Sequence, residues 1–147
     1  MAAEYDILLI GGGPAGLSAA STIVRQHHKT VLFDSGKYRN AESKYMHTVP
    51  TWDHQEPKAF REAAKKDLER YGTVDIEQVE IETIQKREDG LFEVTGVGKT
   101  WIGKKVILAT GVEDVYPDIS GYEECWVKGM YVNSKSSHDT INIRSSV

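Results

Sequence analysis

The sequence predicts an α/β domain, with a parallel central sheet flanked by helices and a small antiparallel β-meander. Three observations predict it. An apolar run at residues 5–10 ends in a cluster of glycines; strand, helix and strand signals follow one another within about 30 residues, the size of a βαβ unit; and a second continuous apolar run, KVILAT, stands at residues 105–110.

The first run, YDILLI at residues 5–10, reads as a buried parallel strand. Residues 14–25 read as a helix. Leu17, Ala20 and Val24 recur at helical spacing, as do Ala19 and Ile23, and the small Gly16 and Ala20 let the helix lie close to a sheet. A second strand spans residues 29–34, KTVLFD. Residues 35–56 lack periodicity, and a loop of that length in a compact domain is commonly functional. Pro57 opens the next helix, Phe60, Ala63, Ala64, Leu68 and Tyr71 mark its buried stripe, and Gly72 stops it. Residues 74–87 alternate, but the phase slips near Gln78, which predicts a break or bulge. Residues 88–90, EDG, are a hairpin turn. A return strand covers 91–95, GVGK at 96–99 turns again, residues 100–102 extend the meander, and 105–110 form a central strand ended by Gly111. Residues 131–147 carry five serines and no amphipathic period, and are expected to be a flexible tail following a domain of residues 1–130.

Bulk composition narrows the function. A net charge of −4 leaves no basic surplus to meet a phosphate backbone, so nucleic acid is not the expected partner. The single cysteine, Cys125, precludes a disulfide or a Cys-x-x-Cys centre within these residues and is expected to be packed beside Trp126. Trp52, Trp101 and Trp126 read as packing residues. Neither a signal peptide nor a membrane span is apparent, and a cytoplasmic protein is expected.

Gly11-Gly12-Gly13-Pro14-Ala15-Gly16 satisfies G-x-G-x-x-G between a strand and a helix, which makes the domain Rossmann-like. Gly11 permits the tight turn, Gly13 lets a diphosphate approach the backbone, and Gly16 allows helix and strand to pack. The first-turn N–H groups then face the anion. Asp34, 18 residues after Gly16, closes the second strand where a carboxylate accepts hydrogen bonds from an adenosine ribose and repels a 2′-phosphate. GVGKT at residues 96–100 looks like the end of a Walker loop, but position 93 is Glu93 and no helix follows, so it reads as a turn.

DILLIGGGPAGLSAA, VLFDSGKYRNAE, MHTVPTWDH and VILATGVEDVYPDISGYEECWVKG together resemble the thioredoxin-reductase-like FAD-dependent oxidoreductases, particularly the fungal subgroup that includes dithiol oxidases of secondary metabolism. The resemblance spans about residues 4–130. It implies an FAD cofactor, with Gly11, Gly13, Pro14, Ala15 and Gly16 at the diphosphate and Asp34 at the ribose. It also places Arg39, Asn40 and His47 along the cofactor, Val79 at the adenine, and Ala109, Thr110 and Gly111 in a second FAD motif. The His47 side chain could equally be a solvated loop residue, and no catalytic side chain or metal ligand set stands out.

The family's redox Cys-x-x-Cys and second glycine loop are not found in these residues, so the sequence reads as the first half of such an enzyme. Two functions follow as expectations. One is an FAD-dependent oxidoreductase of the pyridine nucleotide-disulfide type; the other is a non-catalytic module that binds FAD or NAD and acts through self-association or a partner. A homodimer through an incomplete sheet is expected as well, because an unpaired central strand invites another chain.

Overall fold

The computed structural model describes residues 4–126. They divide into a main unit ending at Val112 and a segment that begins at Glu113. The predicted boundary at residue 130 and the predicted tail lie outside the described residues. No helix among the described residues is long and apolar enough to cross a membrane.

The main unit is one six-stranded sheet with two helices. Its strands are β1 (Tyr5–Ile10), β2 (Thr30–Phe33), β3 (Val74–Glu77), β4 (Thr83–Lys86), β5 (Phe92–Gly96) and β6 (Lys99–Leu108), in the spatial order β3-β2-β1-β6-β5-β4. The first four in that order run parallel, and β4, β5 and β6 form the antiparallel meander. The predicted Rossmann-like α/β architecture is therefore present.

Helix α1 (Pro14–Ile23) connects β1 to β2, and a short 3₁₀ turn at Val24–Gln26 ends in His27 in a left-handed cap. Helix α2 (Pro57–Glu69) precedes β3 and stops at Gly72, whose φ is +63°. Alternation along the strands sorts the core by sheet face. Leu9 and Leu32 pack under the helices with Leu17, Ala20, Val24 and Leu68; Leu8, Ile10, Val31 and Phe33 point the other way, toward Val79, Val94 and Trp101. The Trp101 ring meets Phe33 edge-to-face at 4.9 Å, which brings the start of β6 over that face.

Three expectations are resolved or changed here. Of the break or bulge expected at the phase slip near Gln78, the break is present. It separates two strands, with β3 at one edge of the sheet and β4 at the other. Residues 100–102 and 105–110 are not separate strands either. Strand β6 is continuous, pairing antiparallel with β5 through its first half and parallel with β1 through its second. Gly103 is the exchange point, paired with both Tyr5 and Phe92, and a Cβ there would stand 2.5–3.0 Å from the Leu8 side chain. Finally, Tyr71 is exposed, and Arg61 takes a buried place on α2 instead.

The central strands β2, β1, β6 and β5 are each paired on both sides, so the sheet edges among the described residues are β3 and β4. The predicted turn at 96–99 is real, with Val97 and Gly98 both at positive φ, as a two-residue type I′ hairpin requires.

In the second segment, α3 (Tyr122–Cys125) holds Tyr122, and Trp126 follows it. Both rings gather with Tyr116 at centroid distances of 5.1–6.2 Å. Cys125 is exposed, not packed as expected, because a four-residue helix buries none of its side chains.

Candidate functional site

The register of the parallel strands fixes where a site can form. Ile10 is paired with both Phe33 and Leu108, and Phe33 with Glu77, so four strands end at one level. Gly11, Asp34, Val79 and Ala109 all lie just past those ends. Backbone hydrogen bonds knit them together: Gly11 N donates to Phe33 O at 2.9 Å, Asp34 N to Glu77 O at 2.9 Å, and Ala109 N to Ile10 O at 2.8 Å. The chain leaves β1 toward β2 on one side, and β6 lies on the other. A crevice at such a reversal, beyond the carboxyl ends of the strands, is where open α/β sheets bind ligands.

Each glycine of the turn has a distinct spatial reason. Gly11 adopts φ +118°, and a Cβ would collide with the Ala109 carbonyl oxygen. A Cβ on Gly16 would collide with the Gly11 carbonyl oxygen, so helix and turn interlock. Gly13 differs, since apart from its own neighbours along the chain no heavy atom lies within 4 Å of the place its Cβ would take. It is the N-cap of α1, it offers no side-chain cap, and the first turn contains no acidic residue. The turn's N–H groups, with Pro14 contributing none, therefore border open space at the positive end of the helix. That is the chemistry a diphosphate requires, and the residues present fit it.

Asp34 is more enclosed than its sequence position suggests. It is 1% exposed and accepts three hydrogen bonds within the protein. Lys65 Nζ and Tyr38 OH each donate to Oδ2 at 2.6 Å, and the Gly36 amide donates to Oδ1 at 3.0 Å. Burial pushes its pKa up, but the Lys65, Tyr38 and Gly36 hydrogen bonds outweigh that and hold the acid below the usual carboxylate range. On the Tyr38 phenol, burial and then the Asp34 contact act in one direction and push it up to about 12. A carboxylate has about four acceptor positions, so the remaining capacity for a ribose hydroxyl lies on Oδ1.

The network continues outward. The Arg61 guanidinium stacks on the Tyr38 ring at 3.8 Å from its centroid and donates to Asn40 Oδ1 at 3.1 Å. Asn40 is thus tied to α2, while Arg39 is exposed beside it. Val79 is buried in the core, with its amide donating to Glu77 O at 3.0 Å. Thr110 and Gly111 are exposed just beyond β6.

His47 stands apart from this group. Its contacts are with Asp53 and His54 in a loop of its own, with His47 Nδ1 3.2 Å from Asp53 Oδ1. Trp101, Trp52 and Trp126 do pack against rings, namely Phe33, Phe60 and the tyrosines of the second segment.

Sequence reasoning missed Gly12, Tyr38, Arg61 and Lys65. A Cβ on Gly12 would collide with the Asp34 carboxylate, so the turn is built directly against the acid. Only one signal was available: Arg61, Lys65 and Leu68 recur at four- and three-residue steps, which puts two cations on the buried face of a helix.

A profile of the family "Pyridine nucleotide-disulphide oxidoreductase" matches residues 5–142. Among curated proteins, thioredoxin reductase aclD of Aspergillus oryzae is 48% identical over 130 residues, covering 86% of this chain and 41% of that protein. Thioredoxin reductase sirT of Leptosphaeria maculans is 47% identical over 131 residues, covering 87% and 39%. Among solved structures, that of HlmI superposes with a TM-score of 0.79 at 34% identity, covering 84% of this chain and 40% of that one. An oxidoreductase from Agrobacterium tumefaciens gives 0.77 at 32% identity, covering 82% and 41%. The chain spans about two-fifths of the length of these relatives.

Proposed function

The chain belongs to the pyridine nucleotide-disulphide oxidoreductase family and is thioredoxin-reductase-like, and from that premise we propose that it forms the FAD-holding part of such an oxidoreductase. The observation that carries this reading is the alignment of four parallel strand ends around a glycine turn whose Gly13 side is open.

On this reading the backbone of Gly11, Gly13, Ala15 and Gly16 holds the diphosphate, with Pro14 fixing the first helical φ. Asp34 Oδ1 accepts from the ribose, and Val79 borders the adenine. Ala109, Thr110 and Gly111 close the crevice from β6, while Arg39, Asn40 and His47 lie along the rest of the cofactor. Flavin, when bound, would supply the electron carriage. The protein's own part is positional: α1 directs its dipole at the anion, and the Lys65–Asp34–Tyr38 network keeps the ribose end rigid.

The test is an absorbance spectrum of the purified protein with and without added FAD, together with thermal melts. A flavin spectrum, or a melting point raised by FAD, supports the proposal; a ligand at about a hundred times its Kd stabilises by about 2.7 kcal/mol. Stabilisation by NAD or ADP but not by FAD would replace it with a non-catalytic adenine-nucleotide module. No response to any of the three would overturn both readings.

A further inference from the structure

An ion pair between Lys37 and Glu80 joins two loops at the carboxyl end of the sheet. Lys37 Nζ donates to both carboxylate oxygens of Glu80, at 2.9 and 2.7 Å. The two side chains are 72% and 59% exposed, and such a pair adds little to folding stability. What sets it apart is its place. Phe33 and Glu77 are register partners, so β2 and β3 end at one level. Lys37 lies three residues past Asp34, and Glu80 is the residue after Val79. The pair therefore ties the chain just beyond the buried acid to the chain just beyond the valine.

Backbone supports both ends of the link. On one side Gly36 holds φ +75° with its amide on Asp34 Oδ1 at 3.0 Å, and the Lys37 amide donates to Ser35 Oγ at 3.3 Å. On the other side Glu80 is seated against the meander. A Cβ on Gly96 of β5 would collide with the Glu80 carbonyl oxygen, and the Glu82 amide donates to Thr95 O at 2.8 Å. Only the two long side chains make the span between these supports.

We propose that Lys37 and Glu80 form an ionic clasp that retains the adenosine end of the bound dinucleotide. The proposal rests on the cofactor reading above, with the ribose at Asp34 and the adenine at Val79, and it gives the antiparallel meander a share in the site. A base held beside Val79 displaces water from around the clasp. The lower local dielectric strengthens the attraction between the two charges. A stronger clasp slows release of the base, so its effect on affinity is carried by the dissociation rate. Both side chains are exposed and can swing aside to admit the ligand. Salt screens an exposed pair, so retention declines as ionic strength rises.

The test is calorimetric titration of the protein with FAD and, separately, with ADP, which carries only the adenosine and the diphosphate. At low salt K37M and E80Q should each weaken both ligands roughly threefold to fivefold. At about 1 M sodium chloride, where the Debye length is about 3 Å, the difference from the parent should vanish. The charge-swapped double variant K37E with E80K should regain the parent affinity to within about twofold, a rescue that general loss of structure would not give. K104M breaks the exposed pair with Asp6 at the amino end of β1 and should leave binding unchanged. Thermal melts without ligand confirm that each variant is folded. A parent that binds FAD and ADP while K37M and E80Q bind them equally well at low salt, or a swap that fails to restore affinity, would overturn the clasp alone. A parent that binds neither ligand would remove the cofactor reading and the clasp with it.

Discussion

Gly13→Val should separate ligand binding from folding, because the turn's glycines are constrained by different neighbours. Gly13 has φ −77° and ψ −177°, which any residue adopts, and there is open space beside it. Valine at this N-cap costs about 1 kcal/mol or less relative to glycine, and so lowers the melting point by a few degrees. The same side chain occupies the space through which a diphosphate would reach the first-turn amides. Losing two hydrogen bonds to a charged group, each worth about 1.5–3 kcal/mol, removes about 3–6 kcal/mol of binding, or roughly two to four decades in Kd. Gly16→Ala is the counterpart. Its Cβ would strike the Gly11 carbonyl oxygen and stand 2.9 Å from the carbonyl carbon. Rigid backbone cannot yield there, so overpacking should cost about 3 kcal/mol in stability. Thermal melts and FAD titration by flavin fluorescence check both variants. A Gly13→Val protein that binds FAD within about threefold of the parent, or a Gly16→Ala protein that melts with the parent, would refute the reasoning.

Three further predictions concern other parts of the molecule. Lys65→Met removes the cation beside the buried Asp34, and because Lys65 is 24% exposed the loss should be about 2–3 kcal/mol, below the ~3–5 of a fully buried pair. Asp34 has its folded pKa depressed, so its contribution is fully present above the ordinary carboxylate value, near pH 4, and fades as pH falls through the lower folded value; denaturant melts of the parent and Lys65→Met should differ steadily from about pH 5 to 7 and converge below about 4. Val97→Asn should stabilise by about 1 kcal/mol, since Val97 is 73% exposed at φ 51° and Asn-Gly suits a type I′ turn; a melting point that does not rise would contradict it. Finally, we propose a homodimer formed through an edge of the sheet, with β3 or β4 as the unpaired element; sedimentation showing a clean monomer at high concentration would remove that proposal.

Local signals made the parallel half of the fold legible. The glycine cluster after an apolar strand placed β1, the turn and α1, and helix starts and stops at Pro57 and Gly72 placed α2. The meander was harder because pairing partners are not written in periodicity. The phase slip near Gln78 marked a discontinuity, but nothing local says that β3 joins one edge of the sheet and β4 the other. Gly103 hid the continuity of β6 for a related reason. A glycine inside an apolar run reads as punctuation, whereas here it makes room for Leu8 where one strand passes between two partners. Arg61 was hidden because a charge on a helix reads as solvated unless its partner is known, and that partner, Tyr38, lies 23 residues earlier in an aperiodic loop.

Asp34 shows how far a single-residue reading can reach. The sequence assigns it one role, as acceptor for a ribose, and infers that its charge repels a 2′-phosphate. The structure gives it a second role as the wall against which Gly12 is packed, so the glycine turn and the acid form one rigid unit. It also supplies a counter-ion. With Lys65 at 2.6 Å, Asp34 does not present a bare negative charge to a ligand, and electrostatic repulsion alone no longer excludes the phosphorylated dinucleotide. On the proposed reading, selectivity at this end would come from enclosure, because Asp34 is 1% exposed and held by Tyr38 and Lys65. On that reading the residues that hold the acid in place would set the selectivity, and neither of them belongs to the glycine motif that announced the site.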